Sequence, residues 1–127
     1  MPYYEDLSPY EYTSHGQRCA NLVNIGWLDL KRPFHQGSVE PALLVRIGEL
    51  CMAPVNRTRG FHACSKRPEY PVREDVGGAV VALGSAEIRV FGTSTTYACP
   101  TLIYHYIREH RYLPPHEFLD AVSHLQP

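Results

Sequence analysis

The sequence has no charge surplus of either sign: twelve Lys and Arg stand against thirteen Asp and Glu, a formal net charge of −1. A domain that grips nucleic acid through its phosphates normally carries a basic excess, so no nucleic-acid partner is expected. Long apolar runs are missing too. None approaches the roughly 18 residues of a membrane helix, and no membrane association is expected. The opening Met-Pro-Tyr-Tyr-Glu-Asp lacks the basic and apolar segments of a signal peptide, which points to the cytoplasm. Cysteines are few and far apart: Cys19, Cys51, Cys64 and Cys99. In a cytoplasmic chain they are expected to be free thiols. Asn56-Arg57-Thr58 fits a glycosylation acceptor by chance only. Familiar catalytic signatures are also absent. The chain has no G-x-S-x-G elbow, no H-E-x-x-H helix and no G-x-x-x-x-G-K phosphate loop, and His116-Glu117 lacks the second histidine.

What is present fits a single domain over 1–127. The 127 residues are 44% hydrophobic and 20% charged, a globular composition. At that length roughly two-thirds of the unfolded surface can be buried without a covalent staple. Tyr3, Tyr4, Tyr10 and Tyr12, broken by Pro2 and Pro9, read as an irregular tyrosine-rich arm at about 1–20. A strand is expected over 21–28 and a loop over 31–37. A helix should follow from the N-cap Ser38 to about Cys51, with Leu43, Ile47 and Leu50 on one face. Residues 54–77, with Pro54, Gly60, Pro68 and Pro71, show no helical period and read as a long connection. Such connections inside a compact domain are often functional or tied by a metal. Strands at 79–83 and 87–91 should form a hairpin around Gly84-Ser85, with a third at 94–97. A second helix opens at Pro100 and ends near His110, and a last one covers 115–124. The class is α+β: a small, mostly antiparallel sheet packed with about three helices.

Four side chains carry the chemistry: His62, Cys64, His105 and His110. His62-Ala63-Cys64 lies in the proline-broken connection. His105 and His110 have four residues between them at the end of a helix, a spacing used by structural zinc sites. Thiolate and imidazole suit zinc, the ion expected if one is bound. A complete knuckle would place a second cysteine at 67, where the chain has Arg67. The metal-free reading gives the same residues ordinary roles: histidines at a helix end serving its dipole, and a cysteine buried as a small hydrophobe. Glu87 and Arg89 alternate on a strand and read as a solvated pair, with Glu87 as a general base the lesser alternative. Trp27 reads as core.

Several blocks together carry a resemblance. They are Glu5-Asp6-Leu7-Ser8-Pro9-Tyr10, Gly26-Trp27-Leu28-Asp29, Leu50-Cys51-Met52-Ala53-Pro54-Val55-Asn56, Thr58-Arg59-Gly60-Phe61-His62-Ala63-Cys64, the run from Leu83 to Val90, and Tyr97 to Tyr106 continuing to Tyr112-Leu113-Pro114-Pro115-His116-Glu117-Phe118. The chain resembles an uncharacterised family of small bacterial proteins of actinobacterial type. The resemblance implies a pattern of residues and no activity. It also implies a cysteine three positions after Cys64, where this chain has Arg67.

These readings converge on a small soluble, non-enzymatic accessory or immunity-type module. It would bind a protein partner and keep a degenerate zinc-knuckle-like Cys/His cluster. The alternative is a metal-dependent hydrolase or lyase using His62, Cys64, His105 and His110, three ligands leaving one position open. The expected core is Leu43, Ile47, Leu50, Leu102, Ile103, Tyr106, Ile107, Phe118 and Val122. Leu50→Ala or Ile103→Ala should each cost about 2–5 kcal/mol in denaturant unfolding. Losses below about half a kcal/mol at both sites would show that the helix faces are assigned wrongly.

Overall fold

The computed structural model describes residues 3–12, 17–56, 64 and 71–125. Among the described residues nine elements follow one another: β1 (Pro9–Tyr12), β2 (Gln17–Asn24), α1 (Pro41–Cys51), β3 (Val72–Val76), β4 (Ala79–Leu83), β5 (Glu87–Phe91), β6 (Thr96–Pro100), α2 (Ile103–His110) and α3 (His116–Ser123). One sheet has the order β1-β2-β6-β5 and the other is the pair β3-β4. Among the described strands, only β2 and β6 run parallel. The expected α+β class, with three helices and mostly antiparallel sheets, holds.

Several boundaries move, each for a local reason. The segment expected to be an irregular arm contributes β1 and the start of β2, and the strand expected over 21–28 ends at Asn24. Beyond it Gly26 turns at φ 80, the left-handed region that glycine enters at no steric cost. The next stretch is buried without being a strand: Ile25, Trp27, Leu28 and Leu30 all enter the core. The Trp27 indole donates to the Ala98 carbonyl at 3.0 Å. α1 starts at Pro41, not Ser38. Glu40, just before the proline, is held at ψ 131, because a proline ring disfavours helix in the residue preceding it. α2 starts at Ile103, since Pro100 is the last residue of β6.

The expected hairpin between 79–83 and 87–91 does not form. β4 pairs with β3, and β5 pairs with β6, in separate sheets. The tight turn is Gly77-Gly78, both at positive φ (60 and 90), where two glycines meet the demands of a two-residue hairpin loop. The Gly78 amide adds a bond to Asp75 Oδ1 at 2.8 Å. Strand β3 therefore lies inside the stretch expected to be a plain connection.

Ile47, Leu102, Ile103, Tyr106, Ile107, Phe118 and Val122 are buried as expected, while Leu43 and Leu50 are half-buried at the core's edge. No helix among the described residues is long and apolar enough to cross a membrane. The four-stranded sheet curls: the Tyr10 hydroxyl on one edge strand donates to Glu87 on the other at 3.2 Å. Two intervening strands at about 4.8 Å spacing would keep these side chains apart in a flat sheet.

α1 is pressed onto β3 and α2 at Gly48. A Cβ there would lie 2.8 Å from Val76 Cγ1 and 2.9 Å from Tyr104 Cε2. Alanine would improve helix propensity by about 1 kcal/mol, but overpacking costs typically about 1–3 kcal/mol. Gly48→Ala is therefore expected to lower stability by up to about 2 kcal/mol in urea unfolding. A stabilised variant would show that β3 does not sit against α1 here.

Candidate metal centre

β3 alternates cleanly, with Val72, Glu74 and Val76 buried and Arg73 and Asp75 exposed. Glu74 thus occupies an inward position between two valines, 7% exposed. A carboxylate there needs a partner. The partner is His105 of α2, fully buried, whose Nδ1 lies 2.7 Å from Glu74 Oε2. An ionised carboxylate only accepts, so Nδ1 carries a proton, and in the neutral ring Nε2 then presents a lone pair. Arg108, one turn further along α2, stands 3.9 Å from Glu74 Oε1 and donates to the Asp75 carbonyl.

The free face of His105 meets His110, Nε2 to Nε2 at 3.2 Å, with ring centroids 5.0 Å apart and planes at 80°. In a regular helix, residues five apart point about 140° away from each other. α2 closes directly after His110: Arg111 takes φ 57, and the Tyr112 amide bonds back to the Tyr106 carbonyl, six residues earlier, at 3.1 Å. A left-handed closing turn of this kind is common at helix ends. Gln36 holds the end in place by donating to the His110 carbonyl at 3.2 Å.

Cys64 completes the cluster. Its Sγ is buried and lies 3.4 Å from His110 Nε2. One ligand atom from each of Cys64, His105 and His110 falls within 4.8 Å of the others, and the group could hold a metal ion. The geometry fits one. Tetrahedral ligation, with nitrogen at about 2.0–2.1 Å and sulfur at about 2.3 Å, puts two nitrogens about 3.3 Å apart and sulfur and nitrogen about 3.6 Å apart. Two of the three edges measure 3.2 and 3.4 Å, and the third lies within 4.8 Å. Hydrogen bonding explains the arrangement less well. His110 Nε2 has one in-plane direction for a proton or lone pair, yet it lies close to two partners. Glu74 behind His105 is the outer-shell carboxylate typical of a metal-bound histidine, fixing the tautomer that leaves Nε2 as the ligand.

The structure thus brings together three of the four residues expected from the sequence, and the contact between the connection and α2 exists. His62 and Arg67 lie outside the described residues. Glu74 is the participant the sequence reading missed. Its signal is an acidic residue between Val72 and Val76 at strand period. The Glu87–Arg89 pair needs correcting as well. Its atoms meet at 2.7 Å with both side chains under one-fifth exposed, and the Tyr10 ring lies 4.9 Å from the Arg89 guanidinium. It is a sheltered cluster rather than an open solvated pair, because the curled sheet lays Tyr10 over it.

The remaining described thiols are free but inert. Burial pushes Cys51 up to about 12 and Cys99 well above its ordinary range, with the charge of Cys51 adding to the second. Burial also raises the Tyr106 phenol, and the negative charge of a Cys64 thiolate adds to this. The unfolded Cys51 thiol ionises near about 8.5, whereas the folded one keeps its proton to about 12. The unfolded state therefore binds fewer protons in that window. Stability from this group is complete below about pH 8.5 and lost as pH rises toward 12. Melting temperature should fall across alkaline pH, and Cys51→Ala should flatten part of the fall. Iodoacetamide should leave Cys51 and Cys99 unmodified in the native protein. Rapid native labelling of either would contradict their burial.

Among curated proteins and solved structures, none matches the chain. A family model does, over residues 2–123. That span takes in every element from β1 to α3 and all members of the Cys64–His105–His110 cluster. The expectation of an uncharacterised family is met at this level, and the protein belongs to the family described as a domain of unknown function, DUF7919.

Proposed function

We propose that this protein is a small zinc-binding module in which the ion is structural. Cys64, His105 and His110 hold it, with His62, two residues from Cys64, as the fourth ligand. The whole chain acts as one bacterial, cytoplasmic, non-enzymatic domain that presents a surface to a protein partner. The observation carrying the reading is the placing of His110 Nε2, 3.2 Å from His105 Nε2 and 3.4 Å from Cys64 Sγ, a pair of contacts that a single cation between the three satisfies. The centre would cross-link the proline-rich connection to the end of α2. That is a useful role for a metal in a chain of this size.

A second reading, a metal-dependent hydrolase or lyase, has one observation in its favour. His110 is only half-buried, and it lines a cavity of about 340 Å3 with Leu30, Phe34, Gln36, Glu109 and Arg111. In that case the fourth position would hold water facing the cavity.

Metal analysis of the purified protein should find close to one zinc per chain, and Cys64→Ser or His105→Ala should lose it. Cobalt in its place should give the intense thiolate charge-transfer and tetrahedral d–d bands, unchanged by added azide for a structural centre and shifted for an open one. Glu74→Gln should keep the bands but weaken affinity about 10–100-fold. Arg67→Cys should tighten binding if residue 67 reaches the centre. A wild-type protein that takes up neither zinc nor cobalt, and melts identically with zinc and with chelator, would end the reading.

A further inference from the structure

Among the described residues the two sheets expose four edge strands, and three carry features that discourage pairing. β1 begins at Pro9 and its register shifts between Pro9 and Glu11. The start of β5 is covered by Val55, whose amide and carbonyl both bond to Glu87 at 2.8 Å. β5 also carries Glu87 and Arg89. β3 carries Arg73, Glu74 and Asp75. Prolines, bulges, charges and covering segments are the usual means by which proteins blunt a sheet edge.

β4 has none of these. Its sequence is Ala79-Val80-Val81-Ala82-Leu83, uncharged, rich in β-branched residues and free of proline. Its register against β3 runs unbroken over five pairs. Among the described residues, no strand pairs with its other edge. Val80 is 71% exposed, and Ala79 and Ala82 are exposed with it. The apolar surface continues past the strand, where Val81 and Ala82 border a cavity of about 160 Å3 with Met52 and Pro54. Gly77 and Gly78 flank the strand with open space around them, so no side chain there obstructs an incoming chain.

We propose that β4 is a self-association edge, and that its occupant is β4 of a second copy of this chain, added antiparallel about a two-fold axis through Val81. The choice of occupant rests on self-complementarity. In that register Ala79 faces Leu83 of the second copy, Val80 faces Ala82, and Val81 faces Val81. Every cross-strand pair is apolar and no like charges meet. The two hairpins then form one four-stranded sheet, β3-β4-β4-β3, and each Met52 covers apolar surface near the seam. Five residues pair over less area than a standard interface, so association is weak and concentration-dependent. It does not depend on the metal.

Sedimentation velocity from about 10 μM to about 1 mM, the span a small interface requires, tests this. The average mass is expected to rise from monomer toward dimer, equally with zinc and with chelator. The double variant Val80→Lys/Ala82→Lys, which changes two exposed side chains, should stay monomeric throughout. Val80→Thr should still dimerise. Amide hydrogen exchange of the wild type gives a reading that needs no variant: β4 amides should become at least several-fold more protected at the high concentration, with α3 unchanged. A wild-type monomer at the top of the range overturns the proposal. If its β4 amides are already protected, another segment of the same chain covers the strand. If they are unprotected, any strand added there comes from another protein. A dimer that survives the double lysine variant, or disappears with chelator, overturns it as well.

Discussion

A fully buried imidazole must hydrogen-bond, and the site is organised around how His105 does so. Its partner, Glu74, sits on a strand whose inner face is otherwise Val72 and Val76. The 2.7 Å contact therefore fixes the register of β3 against α2, because a slip of one residue would turn Glu74 to solvent and Arg73 or Asp75 inward. Gly48 permits the approach from the other side by leaving room for Val76 and Tyr104. The Tyr104 hydroxyl, next to His105 in sequence, donates to the Asp75 carbonyl at 3.1 Å, and Arg108 bonds the same atom at 2.9 Å. One ion-pair contact and two bonds to a single carbonyl thus lock a two-stranded hairpin onto a helix.

The helices were legible in the sequence because each buries a stripe at the helical period. Ile47 on α1, Ile103 and Ile107 on α2, and Phe118 and Val122 on α3 all entered the core. The errors fell where one local signal outcompeted another. Gly84-Ser85 resembled a turn, yet Gly77-Gly78 was the pair that closed a hairpin. The Gly84 amide is instead taken by the Thr101 hydroxyl at 2.8 Å, which directs the chain into the other sheet. Pro100 looked like a helix opening and proved to be a strand end. Strand β3 was hidden because three of its five residues are charged, and charge argues against a buried strand unless a partner is known in advance.

The same reasoning separates the visible from the invisible half of the site. Cys64, His105 and His110 stand out by residue type and spacing. Their meeting depends on how the end of α2 is placed and on a contact between residues 41 and 46 positions apart in sequence, neither of which a periodicity reading contains. Glu74 is legible only once β3 is known, because its importance lies in which way it points.

In the proposed centre, charge balances around a divalent ion. Buried ion pairs are weak stabilisers, since desolvation offsets much of their attraction. The contact between Glu74 and His105 is thus poorly explained as a stabilising device alone. Without a cation the carboxylate has Arg108 at 3.9 Å, itself 42% exposed, and otherwise a proton shared with His105. With a divalent ion in the proposed centre, the thiolate of Cys64 and the carboxylate of Glu74 together match its two positive charges. The histidines then remain neutral ligands, with the proton on His105 Nδ1 held by Glu74.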